Sequence, residues 1–302
     1  MRCDTHVHIV GLSDRYKQIP TRTYLASPAS LEGLQACAAT RMISRFVLVQ
    51  PSFYGSDNTL LLESLDQLGA QGRGVAVLDP TAATPQILAE FSARGVRGLR
   101  INLYSPLGDV APLARRLGPT ADCARTANWH VEVIASIQIL SDNLALLSQA
   151  GVPIVIDHYG LYGKTSPDSS HGRKLLELLG QPHVWIKLSA PYRNSNDPLD
   201  MQPNMPWLNA ILAVAEDRCV WGSDWPHTPP HSSHHGADVA LANRALSYPA
   251  LVDDFLGALG SEQRADRIMR DNPGRLYDFP NPARGGDLFE PRVGRNQSSL
   301  RL

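Results

Sequence analysis

The sequence predicts an α/β fold: a single (β/α)8 barrel of the TIM type over residues 1–280, followed by a C-terminal tail at 281–302. Three observations carry this expectation. Short β-branched runs alternate with longer amphipathic stretches along most of the chain. Several runs are apolar throughout, as at 46–49 and 154–156, the pattern of parallel strands covered by helices. The eight strand–helix units average about 35 residues, a size that closes a barrel. An open doubly wound sheet would carry a glycine-rich phosphate loop after its first strand, where this chain has His8-Ile9-Val10-Gly11.

The elements follow in order. A strand at 4–10 leads to a helix at 30–40, and a strand at 45–50 to a helix at 58–68 closed by Gly69. A strand at 74–78 leads to a helix at 85–94 closed by Gly95. Strands at 98–103 and 130–134 come next, the second followed by a helix at 141–149 ahead of Gly151. The strand at 154–158 precedes a helix at 173–179 ending at Gly180, and the strand at 184–189 a helix at 207–215. The eighth strand, 219–224, is followed by helices near 239–259 and 261–270. Each helix is assigned from apolar residues at helical spacing, and glycine is the common residue just past a helix end.

Composition narrows the function. The chain has 302 residues, with 28 Lys+Arg against 29 Asp+Glu and a net charge of −1. It lacks the basic cluster that a nucleic acid or an anionic membrane surface would require. Its apolar runs are too short to span a bilayer. The opening Met1-Arg2-Cys3-Asp4-Thr5 lacks the pattern of a secretory leader. Cys3, Cys37, Cys123 and Cys219 are widely spaced without a C-x-x-C pair, so reduced thiols and a cytoplasmic location are expected. A barrel of this size is compatible with a homodimer.

Polar residues gather at the strand carboxyl ends, where barrel active sites are built. The first strand gives His6 and His8, which share a face because side chains alternate along a strand. The second ends in Gln50-Pro51-Ser52, and the fourth carries Arg97, Arg100 and Asn102. The fifth has His130 and Glu132, the sixth Asp157-His158, the seventh Lys187, Ser189 and Arg193, and the eighth Ser223-Asp224. Each has an ordinary reading. Asp157 and Asp224 suit helix caps, Lys187 and Glu132 an internal ion pair, and Arg97 or Arg100 a structural pair with an acid. Coincidence at one end of the barrel favours catalysis. His227 through His235 form a histidine-rich loop, expected as a flap with His227 at its base and with His231, His234 and His235 in solvent. Trp225 and Tyr54 suit either a pocket wall or core packing.

The stretches Asp4-Thr5-His6-Val7-His8 and Trp221-Gly222-Ser223-Asp224-Trp225-Pro226-His227 resemble the amidohydrolase superfamily. Residues 47–55, 95–100, 156–158 and 187–193 are similar to its lactonase branch, the group of 2-pyrone-4,6-dicarboxylate hydrolase and related lactonases. The resemblance covers about residues 1–280 and is specific to the group, not to a substrate. It implies a barrel with its site at the carboxyl face, His6, His8, His158 and Asp224 as catalytic residues, and Arg193 as a clamp on a substrate carboxylate. It further implies Ser52 as a hydrogen-bond donor to substrate, with Arg100 a looser match; Tyr54 and His227 complete the expected substrate contacts. Metal-dependent members add a ligand from strand four or five. Here the fifth strand offers only His130 and Glu132, neither at the expected end, so a reaction without a required cofactor is favoured. The alternative is one Zn2+ per chain on His6, His8, His158 and Asp224, since three nitrogens and an oxygen suit zinc.

Together these residues predict hydrolysis of an anionic lactone, carboxylated or sulfonated, such as a pyrone dicarboxylate or a muconolactone-type compound. Asp224, with a pKa raised by burial, activates water. The histidines stabilise the oxyanion, and Arg193 and Arg100 pair with the anion. The rivals are a zinc-dependent decarboxylase of the same superfamily, a lactone isomerase, and a binding barrel that has lost its chemistry.

Overall fold

A computed structural model describes residues 1–105, 112–230 and 235–280. The expected tail at 281–302, together with His231 and His234, lies outside the described residues. Eight strands pair in sequential order: β1 (Arg2–Val7), β2 (Ile43–Val49), β3 (Gly72–Ala76), β4 (Val96–Asn102), β5 (His130–Ile134), β6 (Ile154–Ile156), β7 (Val184–Ser189) and β8 (Cys219–Gly222). Every neighbouring pair is parallel. The ring closes just past β1 and β8, where Val7 bridges Trp225 in parallel. There the Asp224 N–H donates to the His6 carbonyl and the His8 N–H to the Trp225 carbonyl, each at 2.8 Å. Gly222 makes this seam sterically feasible, because a Cβ there would lie 2.6 Å from the His6 Cβ.

Helices α1 (Leu31–Ala39), α2 (Thr59–Leu68), α3 (Pro85–Ala93), α4 (Leu113–Ala127), α5 (Ile137–Asp142), α6 (Leu144–Ser148), α7 (Ser170–Leu179) and α8 (Met205–Ala215) cover the strands outside. Ser30, Thr84, Ser136, Ser169 and Asn204 each accept a first-turn N–H with the side chain, which fixes where five of these helices begin. Leu34, Leu65, Leu88, Leu117, Leu175 and Ile211 bring the helices onto the strands in one continuous core. No helix among the described residues is long and apolar enough to cross a membrane.

The eight expected strands are all present. Three are shorter than expected, and the residues beyond their ends are the ones of interest: His8, then Asp157 and His158, then Ser223 and Asp224. The expected helix at 141–149 is instead the pair α5 and α6, broken at Asn143 (φ −113°, ψ 22°) and started early by Ser136. Helix α4 was not expected. Gly118-Pro119 in its interior reads as a break, and its many polar residues mask its apolar face. After β8, α9 (Tyr248–Leu259) starts later than expected. Within the expected helical stretch, Ala240–Leu241 pair with Leu25–Ala26 as a small separate sheet.

Candidate active site

The carboxyl ends of β1, β6 and β8 bring four side chains to one point. His6 and His8 stand edge to face with ring centroids 5.0 Å apart, and His158 lies 4.6 Å from His6. Their Nε2 atoms surround one oxygen, Asp224 Oδ1, at 3.7 Å from His6, 3.4 Å from His8 and 4.0 Å from His158. His158 (φ 51°) and Asp224 (φ 62°) both occupy left-handed backbone, a strained conformation for a side-chain-bearing residue that turns each into the barrel mouth. All four residues are buried.

The other carboxylate oxygen of Asp224 is saturated. Oδ2 accepts from Arg193 Nε at 2.7 Å and from the Tyr192 hydroxyl at 2.6 Å, and lies 2.7 Å from Arg193 Nη2. Burial alone would push Asp224 up, but the Arg193 guanidinium, with a smaller contribution from the His8 contact, holds it well below the usual carboxylate range. The expectation of a raised pKa is corrected: Asp224 does not stand among neutral groups. Burial lowers His6 well below its ordinary value and His158 to about 3, so both rings are neutral near pH 7.

The ring orientations are fixed from behind. His8 Nδ1 lies 2.8 Å from the Val49 carbonyl oxygen, which can only accept, so Nδ1 carries the proton. His158 Nδ1 meets Ser189 Oγ at 2.8 Å. His6 Nδ1 lies 3.2 Å from Lys187 Nζ and 3.3 Å from Asp157 Oδ1. Beneath them, Lys187 touches Glu132 closely and lies 3.7 Å from Asp157. Arg100 reaches Asp157 at 3.4 Å and donates to the Gln50 carbonyl at 3.1 Å. Burial and Asp157 push Glu132 upward, against Lys187 and Arg100. The contacting carboxylates Glu132, Asp157 and Asp224 are thus matched by Lys187, Arg100 and Arg193.

Asp224 Oδ1 and His6 Nε2 are buried without hydrogen-bond partners among the described residues. A zinc site with bonds of about 2.0–2.2 Å has tetrahedral edges of about 3.4 Å, close to the spacing found here. His6, His8 and Asp224 form one group that could hold a metal ion, and His6, Asp157 and His158 form a second; His158 Nε2 lies 4.0 Å from Asp224 Oδ1.

The cavity over this point is small, about 30 Å³, and is lined by His8, Ser52, Arg100, His158, Arg193 and Asp224 among others. Ser52, Arg100 and Asn102 also border a neighbouring cleft of about 650 Å³.

Residues 3–279 match the family model described as amidohydrolase. The chain belongs to the amidohydrolase family. This amidohydrolase is 28% identical over 277 residues to the 4-sulfomuconolactone hydrolase of Hydrogenophaga intermedia, spanning 91% of this chain and 88% of the relative. It is 27% identical over 284 residues to the 2-pyrone-4,6-dicarboxylate hydrolase of Comamonas testosteroni, with 91% and 89% covered. Among solved structures, a probable 2-pyrone-4,6-dicarboxylic acid hydrolase of Acinetobacter baumannii, with citric acid bound, superposes with a TM-score of 0.77. The identity is 27%, over 92% of this chain and 99% of that one.

The sequence-predicted residues divide on placement. His6, His8, His158 and Asp224 meet, and Ser52, Arg100 and Arg193 border the same cavity. Tyr54 does not border it. Its ring packs with Val10, Tyr24 and Phe53, and its hydroxyl accepts from the Gly11 N–H. His227 lies behind the site, with Nδ1 3.3 Å from the Tyr192 hydroxyl. Arg97 points away and lies 3.5 Å from Asp278, so its structural reading holds, and Trp225 packs against the core. His235 is exposed as expected. Tyr192 was missed. Its only signal was its position beside Arg193 in the turn after β7, which does not reveal that both side chains reach one carboxylate oxygen.

Proposed function

We propose that this amidohydrolase opens the ring of a lactone bearing a carboxylate or sulfonate, with Asp224 as general base. The observation that carries the reading is a buried carboxylate facing three imidazoles in a cavity that two guanidiniums border. The substrate's anion pairs with Arg193 and Arg100, whose planar donors suit carboxylate and sulfonate alike. The ester carbonyl enters the small cavity and the rest of the ring occupies the adjoining cleft. Ser52 donates to the bound substrate. Asp224 takes a proton from water as its oxygen attacks the carbonyl carbon. The developing oxyanion accepts hydrogen bonds from imidazole N–H groups. When the ring C–O bond breaks, Asp224 returns its proton to the leaving oxygen, and the new carboxylic acid ionises, releasing one proton.

A zinc ion held by His6, His8, His158 and Asp224 would supply Lewis-acid polarisation of the ester carbonyl. We favour a reaction that does not require it, because the carboxylates at the site are already neutralised by Lys187, Arg100 and Arg193. The names of the two relatives support an anionic lactone, and citric acid in the Acinetobacter structure supports a polycarboxylate-sized pocket. We place the reaction in the cytoplasm, where the four unpaired thiols would stay reduced.

The test follows ring opening of a panel of anionic lactones by loss of ultraviolet absorbance, with zinc and manganese measured in the same preparation. Turnover of an anionic lactone, resistant to chelator and at well under one metal per chain, is expected. Failure across the panel, with decarboxylation or isomerisation instead, overturns the hydrolase. Activity that disappears with one removable zinc overturns the metal-independent form.

A further inference from the structure

We infer that Lys187 fixes the tautomer of His6, placing the ring proton on Nε2 and making His6 a hydrogen-bond donor on the side that faces Asp224. The donor's use in hydrolysis rests on the function proposed above; the tautomer itself does not. Lys187 projects from β7 into the barrel interior and is fully buried. Its Nζ touches Glu132 and makes a hydrogen bond of 3.2 Å with His6 Nδ1. An ammonium has three N–H donors and no lone pair to accept with. His6 Nδ1 must therefore be the acceptor, and in a neutral ring the proton then sits on Nε2.

Asp157 competes for the same nitrogen. Its Oδ1 lies 3.3 Å from His6 Nδ1 and would favour the opposite tautomer, with Nδ1–H donating to it. Asp157 acts on the ring through its charge and this approach, but among the described residues Oδ1 completes no well-aligned hydrogen bond, whereas Lys187 does. His6 Nε2 also lacks a partner among the described residues, and at 3.7 Å from Asp224 Oδ1 it is beyond hydrogen-bond distance. His8 is fixed from its other nitrogen, because its Nδ1–H donates to the Val49 carbonyl.

This bears on metal binding through the same residues. Ligation through His6 Nε2 needs a lone pair there, so the proton must move to Nδ1 and Lys187 must release that nitrogen to Asp157. Lys187 is a positioning residue that biases His6 against a metal and toward an oxyanion.

Long-range 15N–1H spectra of the histidine rings test this in the full-length protein, with the His6 signal assigned by its loss in His6→Gln. The expected result is Nε2–H on wild-type His6, retained in Asp157→Asn and switched to Nδ1–H in Lys187→Met. Zinc affinity of Lys187→Met, measured by direct titration, is expected to rise about tenfold, the scale of effects from groups that orient metal-binding rings. A wild-type His6 protonated on Nδ1 overturns the assignment even if Lys187→Met does not fold. A folded Lys187→Met with an unchanged His6 tautomer also overturns it, since Lys187 then only neutralises Glu132 and Asp157. The spectra need no substrate, so a failure of the lactonase reading, seen in the absorbance assay, is separate.

Discussion

Replacing Arg193 with methionine removes a positive charge that the site uses twice, and the two uses separate in a pH profile. In the resting protein Arg193 holds Asp224 Oδ2 from Nε and Nη2, both at 2.7 Å. The variant leaves that oxygen with the Tyr192 hydroxyl at 2.6 Å. Removing one partner of a buried ion pair costs about 3–5 kcal/mol, because the remaining charge is left unmatched. Asp224 can relieve that cost by taking up a proton. At about 1.4 kcal/mol per pK unit, relief of about 3 kcal/mol corresponds to a rise of about two units. The sign follows from Asp224 being depressed in the folded protein. Its pairing stabilises the fold above the ordinary carboxylate pKa of about 4 and is lost as pH falls through the lower folded value.

The assay is kcat/KM against pH, which reports the free enzyme's groups. The acid limb of Arg193→Met is expected to move upward by about two units. The plateau is expected to fall by about 30- to 1000-fold for an anionic lactone, the equivalent of about 2–4 kcal/mol of lost pairing to the substrate. A lactone without the anion should lose far less at the plateau while showing the same displaced limb. An unmoved acid limb in a folded variant would refute the reasoning, since Arg193 would then not be what keeps Asp224 ionised.

Other substitutions probe the remaining contacts. Asp224→Asn is expected to lower kcat by about 10²- to 10⁴-fold, measured at saturating substrate. Tyr192→Phe deletes the 2.6 Å bond to Asp224, and the acid limb of kcat/KM is expected to move upward by about one unit, the scale of a bond to a charged group. Burial lowers His130 and His158 to about 3 and His227 to about 4, so the unfolded chain binds more protons below about pH 6.5. Stability measured by denaturant titration should therefore fall as pH drops from there, and His130→Gln should reduce the slope. Gly98→Ala would place a Cβ 2.3 Å from the His130 ring, and a loss of about 1–3 kcal/mol is expected from the same titration.

The barrel was legible because its signals are local and repeated. Runs such as 46–49 can only be buried on both faces, and eight of them in alternation with helices leave few topologies. Helix α4 was not legible because Gly118 and Pro119 carry a local message that packing of Leu113, Leu117 and Ala121 overrides. The convergence of His6, His8, His158 and Asp224 was legible because strand ends in a barrel converge. Tyr54 and His227 were misplaced because side-chain direction after a strand end depends on turn geometry. His227 (φ 66°) sits in left-handed backbone that no residue pattern announced.

The same limit explains the electrostatics. The sequence shows Asp224 and Arg193 thirty-one positions apart without showing that they touch. Contact changes what each can do. Paired, Asp224 is an ionised but weak base, and Arg193 is already occupied. A substrate anion that draws Arg193 toward itself loosens its hold on Asp224 and strengthens the base at the moment a lactone is present. A neutral ligand offers Arg193 nothing in exchange and leaves the base weak. On the proposed mechanism, selectivity for an anionic ring and activation of water thus share one guanidinium. Substrates differing only in the anion should therefore differ in kcat as well as KM, whereas an Arg193 acting only as a binding clamp would change KM alone.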